Sequence, residues 1–153
     1  MMGVLGGDSN LPKGSLGLYE PYREAIVAAS KATGVSAAIL AAMVVSEARG
    51  CYGPPGKPLL DNPLQVTHGA GSDMAGNILE GAKQIVSHGE EALAKYGKAD
   101  LGVFLRAYNS GVNGVDPSNL TALPAGIGQP YYVDQVKSSI KAIESGNPGA
   151  LPN

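Results

Sequence analysis

The sequence predicts a mainly α domain, and three observations point there. Apolar residues recur at helical spacing in five separate stretches, while no convincing run alternates apolar with polar as a half-buried strand would. The 22 glycines and 11 prolines are gathered into particular loops. Only 5% of the residues are aromatic, with no Trp and one Phe, so the core must be built from Ala, Val, Leu and Ile. A chain of 153 residues is long enough for one real core. The expected organisation is a flexible N-terminal segment over 1–17, one folded domain over 18–146 and a short C-terminal tail over 147–153.

Met1 to Gly17 is Gly-rich and reads as extended or mobile. The first helix is expected from near Glu20, with Pro21 in its first turn, Tyr22, Ala25, Ile26 and Ala29 as its stripe, and Gly34 as its stop. The second helix-sized stretch, Val35 to Gly50, has Ser36 as a good N-cap and is unbroken apolar from Ala37 to Val45. A loop from Cys51 to Asp73 follows, 23 residues with four prolines and four glycines. Connections of that length without an obvious element are usually functional.

A third helix is expected from about Asn77, which has capping-box character with Glu80; its stripe is Ile78, Ala82, Ile85, Val86 and Leu93, with Gly89 a candidate kink or break. Asp100 caps a fourth, whose inner face is Leu101, Phe104, Leu105 and Tyr108 and which closes at Gly111. The second long loop, Ser110 to Gln129, carries six non-adjacent Gly or Pro residues and an Asn119-Leu120-Thr121 glycosylation sequon. Pro130 opens the last helix, striped by Val133, Val136, Ile140 and Ile143. Both long loops are placed to line one groove.

Charge narrows the function classes. The net charge is −2 and the pI about 5.6, which leaves no electrostatic footprint for nucleic acid. No stretch approaches the ~18 apolar residues of a membrane span. The N-terminus has no basic start and no apolar run of signal length, so a secretory signal is not expected. Cys51 is the only cysteine, which excludes an internal disulfide. Its reading as a catalytic thiol is poor, because His68 and His88 both sit in polar surroundings.

Glu47 is the residue that stands out. It lies near the carboxyl end of the apolar second helix, at the negative pole of the helix dipole. Its helical neighbours three, four and seven positions back are Val44, Met43 and Leu40. Both features disfavour the ionised form, so its pKa is expected to be raised. A carboxylic acid kept protonated near neutral pH is what glycosidic bond cleavage needs.

Five segments carry a family likeness together: VSEARG (45–50), NPLQVT (62–67), NILEG (77–81), RAYNSG (106–111) and QPYYVDQV (129–136). In order and spacing they resemble the catalytic domain of lytic transglycosylases of the soluble-lytic-transglycosylase type, in the lysozyme-like superfamily. The likeness covers roughly Tyr19 to Glu144. It implies a lysozyme-like helical fold with the two Gly/Pro-rich loops bordering a substrate groove. It implies Glu47 as catalytic acid and base, Gln65 in the groove wall, and Tyr108 and Asn109 as the Tyr-Asn pair close to the carboxyl. Tyr131 or Tyr132 would supply the late tyrosine near the site. Asn77 and Gly81 fall on a helix-start motif, and Asn77 reads as a cap. Three departures stand against the family pattern: Ala48 for the usual serine, Asn62-Pro63-Leu64 for Gly-Leu-Met, and Ser110 for alanine.

The resemblance implies peptidoglycan glycan strands as partner, cleavage of the MurNAc–GlcNAc β-1,4 bond to 1,6-anhydroMurNAc ends, and no metal or cofactor. Asp61, Asp73 and Asp116 are the loop carboxylates that a hydrolytic muramidase could use as its second acid, though none sits in a defensible motif. An inactive wall-binding module is a further alternative, kept open by Ala48. Action on the bacterial wall without a signal peptide implies delivery by phage lysis, by a virion or by a secretion apparatus.

Overall fold

Helix α3 (Ala37–Ala48) is the axis around which the other helices pack, for the reason its composition suggests. Every residue from Ala37 to Val45 is buried, so the helix has no solvent face over that run. The computed structural model describes residues 2–48, 74–97 and 100–151. Among the described residues the chain is mainly helical, with no strand and a lone bridge between Gly6 and Val35. Cys51, Asp61, Gln65, His68 and Asp73, and with them the first long loop, lie outside the described residues.

The N-terminal residues, expected to be mobile, are instead held against the domain. A short helix α1 (Met2–Leu5) ends in a fully buried Leu5, and Leu11 and Leu16 are buried as well. The Ser36 and Ala37 amides donate to the Leu5 and Asp8 carbonyls, at 2.7 and 2.9 Å. Arg23 donates to the carbonyls of Leu11 and Pro12 and pairs with Glu20 at 2.8 Å. Three leucines spaced through a Gly-rich segment are enough apolar surface to dock it.

The first expected helix divides in two. Gly17–Tyr22 is a 3-10 turn containing Pro21, and α2 (Arg23–Thr33) continues from it until Gly34, whose φ of 81° ends the helix. Helix α4 (Met74–Tyr96) begins three residues before the expected Asn77, which is fully buried inside the helix and is no cap. It also runs unbroken through Gly89. The reason is packing: a Cβ at Gly89 would overlap the Phe104 ring, so the glycine admits a close helix–helix approach.

Helix α5 (Leu101–Ser110) starts as expected, with the Asp100 carboxylate accepting from the Val103 amide at 2.8 Å. A 3-10 turn, Val112–Gly114, opens the second loop. Asp116 and Asn119 then close local turns through their side chains, so the asparagine of the sequon is engaged in a turn. Helix α6 (Tyr132–Glu144) begins two residues after Pro130. The C-terminal residues close with a 3-10 turn, Pro148–Ala150, and a buried Leu151.

The layers follow from these faces. Helix α3 packs chiefly on α6, α2 on α4, and α4 on α5. The main core joins α3 to residues from α2, α4, α5 and α6, and a smaller cluster of Ala92, Val103, Ala107 and Val115 lies under the second loop. No helix among the described residues is long and apolar enough to cross a membrane.

Candidate active site

Glu47 is the next-to-last residue of α3, where the all-apolar helix reaches the edge of the core. Burial pushes its carboxyl pKa from 4.5 to about 7, and a contact from the Tyr132 hydroxyl partly offsets that rise. The larger cause is therefore desolvation, since burial has taken water from the charged form. Among the described residues no second carboxylate contributes to the shift.

Two tyrosines from different helices meet this carboxyl. Tyr132 is the first residue of α6 and is almost wholly buried. Its hydroxyl lies against Glu47 without reaching full hydrogen-bond geometry, and no other acceptor among the described residues takes its proton. Tyr108 sits on α5, its ring packed against the main core. Burial, and then the negative charge of Glu47, push its phenol well above the ordinary tyrosine range. Both phenols therefore stay protonated near neutral pH, and serve as donors or as uncharged walls.

The other expected residues separate. Asn109 lies on the next position of α5, but its Oδ1 is occupied: it accepts from Arg106 Nη1 at 2.9 Å and from the Gln129 amide at 2.8 Å. Its oxygen thus holds the loop. Tyr131 is 64% exposed and does not join the Glu47–Tyr108–Tyr132 group, so of the two late tyrosines Tyr132 is the one at the carboxyl. Gln65 lies outside the described residues. Asp116, the one described loop aspartate considered as a second acid, accepts from the Ser118 amide and hydroxyl, which hold its pKa below the ordinary range. It is a turn former.

Arg106 is the participant that reading the sequence did not single out, although it opens the RAYNSG segment. Its side chain is fully buried. The available signal was that Arg106 is the only charged residue in α5, with Asn109 and Ser110 one turn further on. The buried hydroxyl of Ser46, beside Glu47 in sequence, also lacks a hydrogen-bond partner among the described residues.

A separate cavity of about 400 Å³ opens at the other end of α3, lined by Gly7, Asp8, Ser36, Ile39 and Glu144. Eight helical residues separate Ile39 from Glu47, roughly 12 Å of axis, so the two are distinct places. Among the described residues no group of three or more His, Cys, Asp or Glu side chains could hold a metal ion. Chemically, the Glu47 arrangement can give a proton near neutral pH and take it back, with two neutral phenols beside it.

Set beside known proteins, the chain matches no family model and no curated protein.

Proposed function

We propose that the chain is a lytic transglycosylase that cleaves the MurNAc–GlcNAc β-1,4 bond of peptidoglycan, with Glu47 as its sole acid and base. The observation that carries this reading is the Glu47 carboxyl, held at a pKa of about 7 by burial and flanked by Tyr108 and Tyr132. The five ordered sequence segments give it its substrate.

A carboxyl half-protonated near pH 7 suits both steps of such a reaction. Glu47 in its acid form donates its proton to the glycosidic oxygen as the bond from C1 to that oxygen breaks. The acetamido oxygen of the same MurNAc residue closes on C1 and carries the developing charge. Glu47, now a carboxylate, takes the proton from the C6 hydroxyl, whose oxygen displaces the acetamido oxygen at C1. The products are a 1,6-anhydroMurNAc end and a GlcNAc with a free 4-hydroxyl. No water is consumed. The Tyr132 hydroxyl, with no other acceptor among the described residues, is ready to donate to Glu47 while it is ionised.

The test is mass spectrometry of muropeptides released from purified sacculi by wild type and by Glu47→Gln. Anhydro ends from wild type and none from Glu47→Gln are expected. Reducing MurNAc ends would replace this reading with a hydrolytic muramidase. Sacculus binding with no released fragments from the wild type would make the domain a wall-binding module.

A further inference from the structure

The guanidinium of Arg106 makes four hydrogen bonds, and their destinations are informative. Nε donates to the Leu120 carbonyl at 2.9 Å and Nη2 to the Pro130 carbonyl at 3.0 Å. Nη1 donates to Asn109 Oδ1 at 2.9 Å and Ser110 Oγ at 3.1 Å. Two bonds go to α5 itself, and two go to positions ten residues apart on the second loop. The second of these is two residues before Tyr132.

All four acceptors are neutral, so among the described residues a fully buried cation sits at the root of the loop without a hydrogen-bonded carboxylate, with Asp134 acting on it only through its charge. Burying a charge this way is costly unless its donors are all used. A planar fork with fixed donors can reach these diverging acceptors at once, and a lysine cannot. The loop fits closely around the fork. Gly128, at φ 106°, lies where a Cβ would collide with Ser110 Oγ and Asn109 Oδ1. The Gln129 amide shares Asn109 Oδ1 with the guanidinium.

We propose that Arg106 is a positioning residue for the Glu47 site: its guanidinium pins the 120–130 loop to α5 and thereby seats Tyr132 against the Glu47 carboxyl. The backbone just before Tyr132 is held at the Pro130 carbonyl, which sets where the ring lies over the carboxyl. Released at that point, the start of α6 loses its hydrogen-bonded tie to α5, and water reaches Glu47. The catalytic consequence rests on the transglycosylase reading, but the positioning does not.

The experiment compares wild type, Arg106→Met, Arg106→Lys and Gly128→Ala by three readouts. These are amide hydrogen exchange over residues 118–131, a carbon-13 titration of the Glu47 carboxyl, and turnover of sacculi. For Arg106→Met the loop amides are expected to exchange at least tenfold faster. The Glu47 titration midpoint should fall by at least one pH unit toward the ordinary glutamate value, since burial is the larger cause of its rise. Turnover at pH 6 should drop at least tenfold. Arg106→Lys should behave as Arg106→Met; full recovery with lysine would show that charge alone suffices and overturn the proposal. If Arg106→Met gives no cooperative melt, Gly128→Ala, which displaces the loop with Arg106 intact, should move exchange and titration the same way. An unchanged Glu47 midpoint in a variant whose loop has loosened would overturn it, as would an unchanged loop. If wild type releases no fragments, the exchange and titration readouts still decide the role of Arg106, so the two readings fail separately.

Discussion

The Tyr132 hydroxyl lies against the Glu47 carboxyl, bringing the first residue of α6 to the last turn of α3. The contact partly offsets the burial that raises the carboxyl pKa to about 7. The pair therefore trades stability for a usable proton, and the trade can be measured.

Native Glu47 binds its proton with a pKa of about 7, whereas the unfolded chain has the ordinary value of 4.5. Between those values the native state holds more protons, so stability falls as pH rises through this window and the loss is complete above it. The full shift corresponds to about 3 kcal/mol. Glu47→Gln removes the titration. Its thermal midpoint should equal that of wild type near pH 4.5 and exceed it by about 5–10 °C at pH 8. A melting difference that stays constant across that range would show that Glu47 does not titrate as described.

Tyr132→Phe removes the hydroxyl and leaves the ring to fill the same space. Because the hydroxyl lowers the Glu47 pKa and burial is retained, the carboxyl should titrate above 7 in this variant. The direction is opposite to that expected for loosening the loop. A carbon-13 titration of Glu47 separates the two. Turnover should fall least on the alkaline side, where the raised pKa keeps more of Glu47 in its acid form.

Gly89→Ala places a methyl group in the Phe104 ring and should destabilise the domain by about 1–3 kcal/mol. The loss should be smaller when Phe104 is already leucine, because the two positions share one contact. Denaturant melts of the four-member cycle give the coupling directly. Additive losses would mean that the close approach of α4 and α5 does not depend on this pair.

Ser139 is almost completely buried on α6, and its hydroxyl has no hydrogen-bond partner among the described residues. Ser139→Ala removes a desolvated polar group and improves helix propensity, so it should stabilise by about 1 kcal/mol. A lower thermal midpoint in the alanine variant would indicate that the hydroxyl has an acceptor in solution.

Much of this molecule was legible along the chain because the signals are local. The all-apolar run from Ala37 to Val45 specifies a central helix whatever surrounds it. Asp100 caps α5 through its own third neighbour, and Gly34 and Gly111 stop helices through their backbone freedom. Glu47 stood out for the same reason, since an acid among apolar neighbours at helical spacing has a raised pKa before any partner is known. Gly89 was misread because sequence presents a glycine as a helix breaker, while only the arrival of Phe104 shows it as a contact. Arg106 was passed over because its acceptors at Leu120 and Pro130 are 14 and 24 residues away. The choice between Tyr131 and Tyr132 likewise depended on the register at which α6 begins. Residues 1–17 looked mobile because Gly-rich sequence carries no periodicity, yet Leu5, Leu11 and Leu16 find apolar surface made by distant segments. Sequence alone thus determined which carboxyl has a raised pKa, because its desolvation begins in its own helix. The tertiary structure decided what stands over it, because that depends on a buried guanidinium joining a helix to a loop.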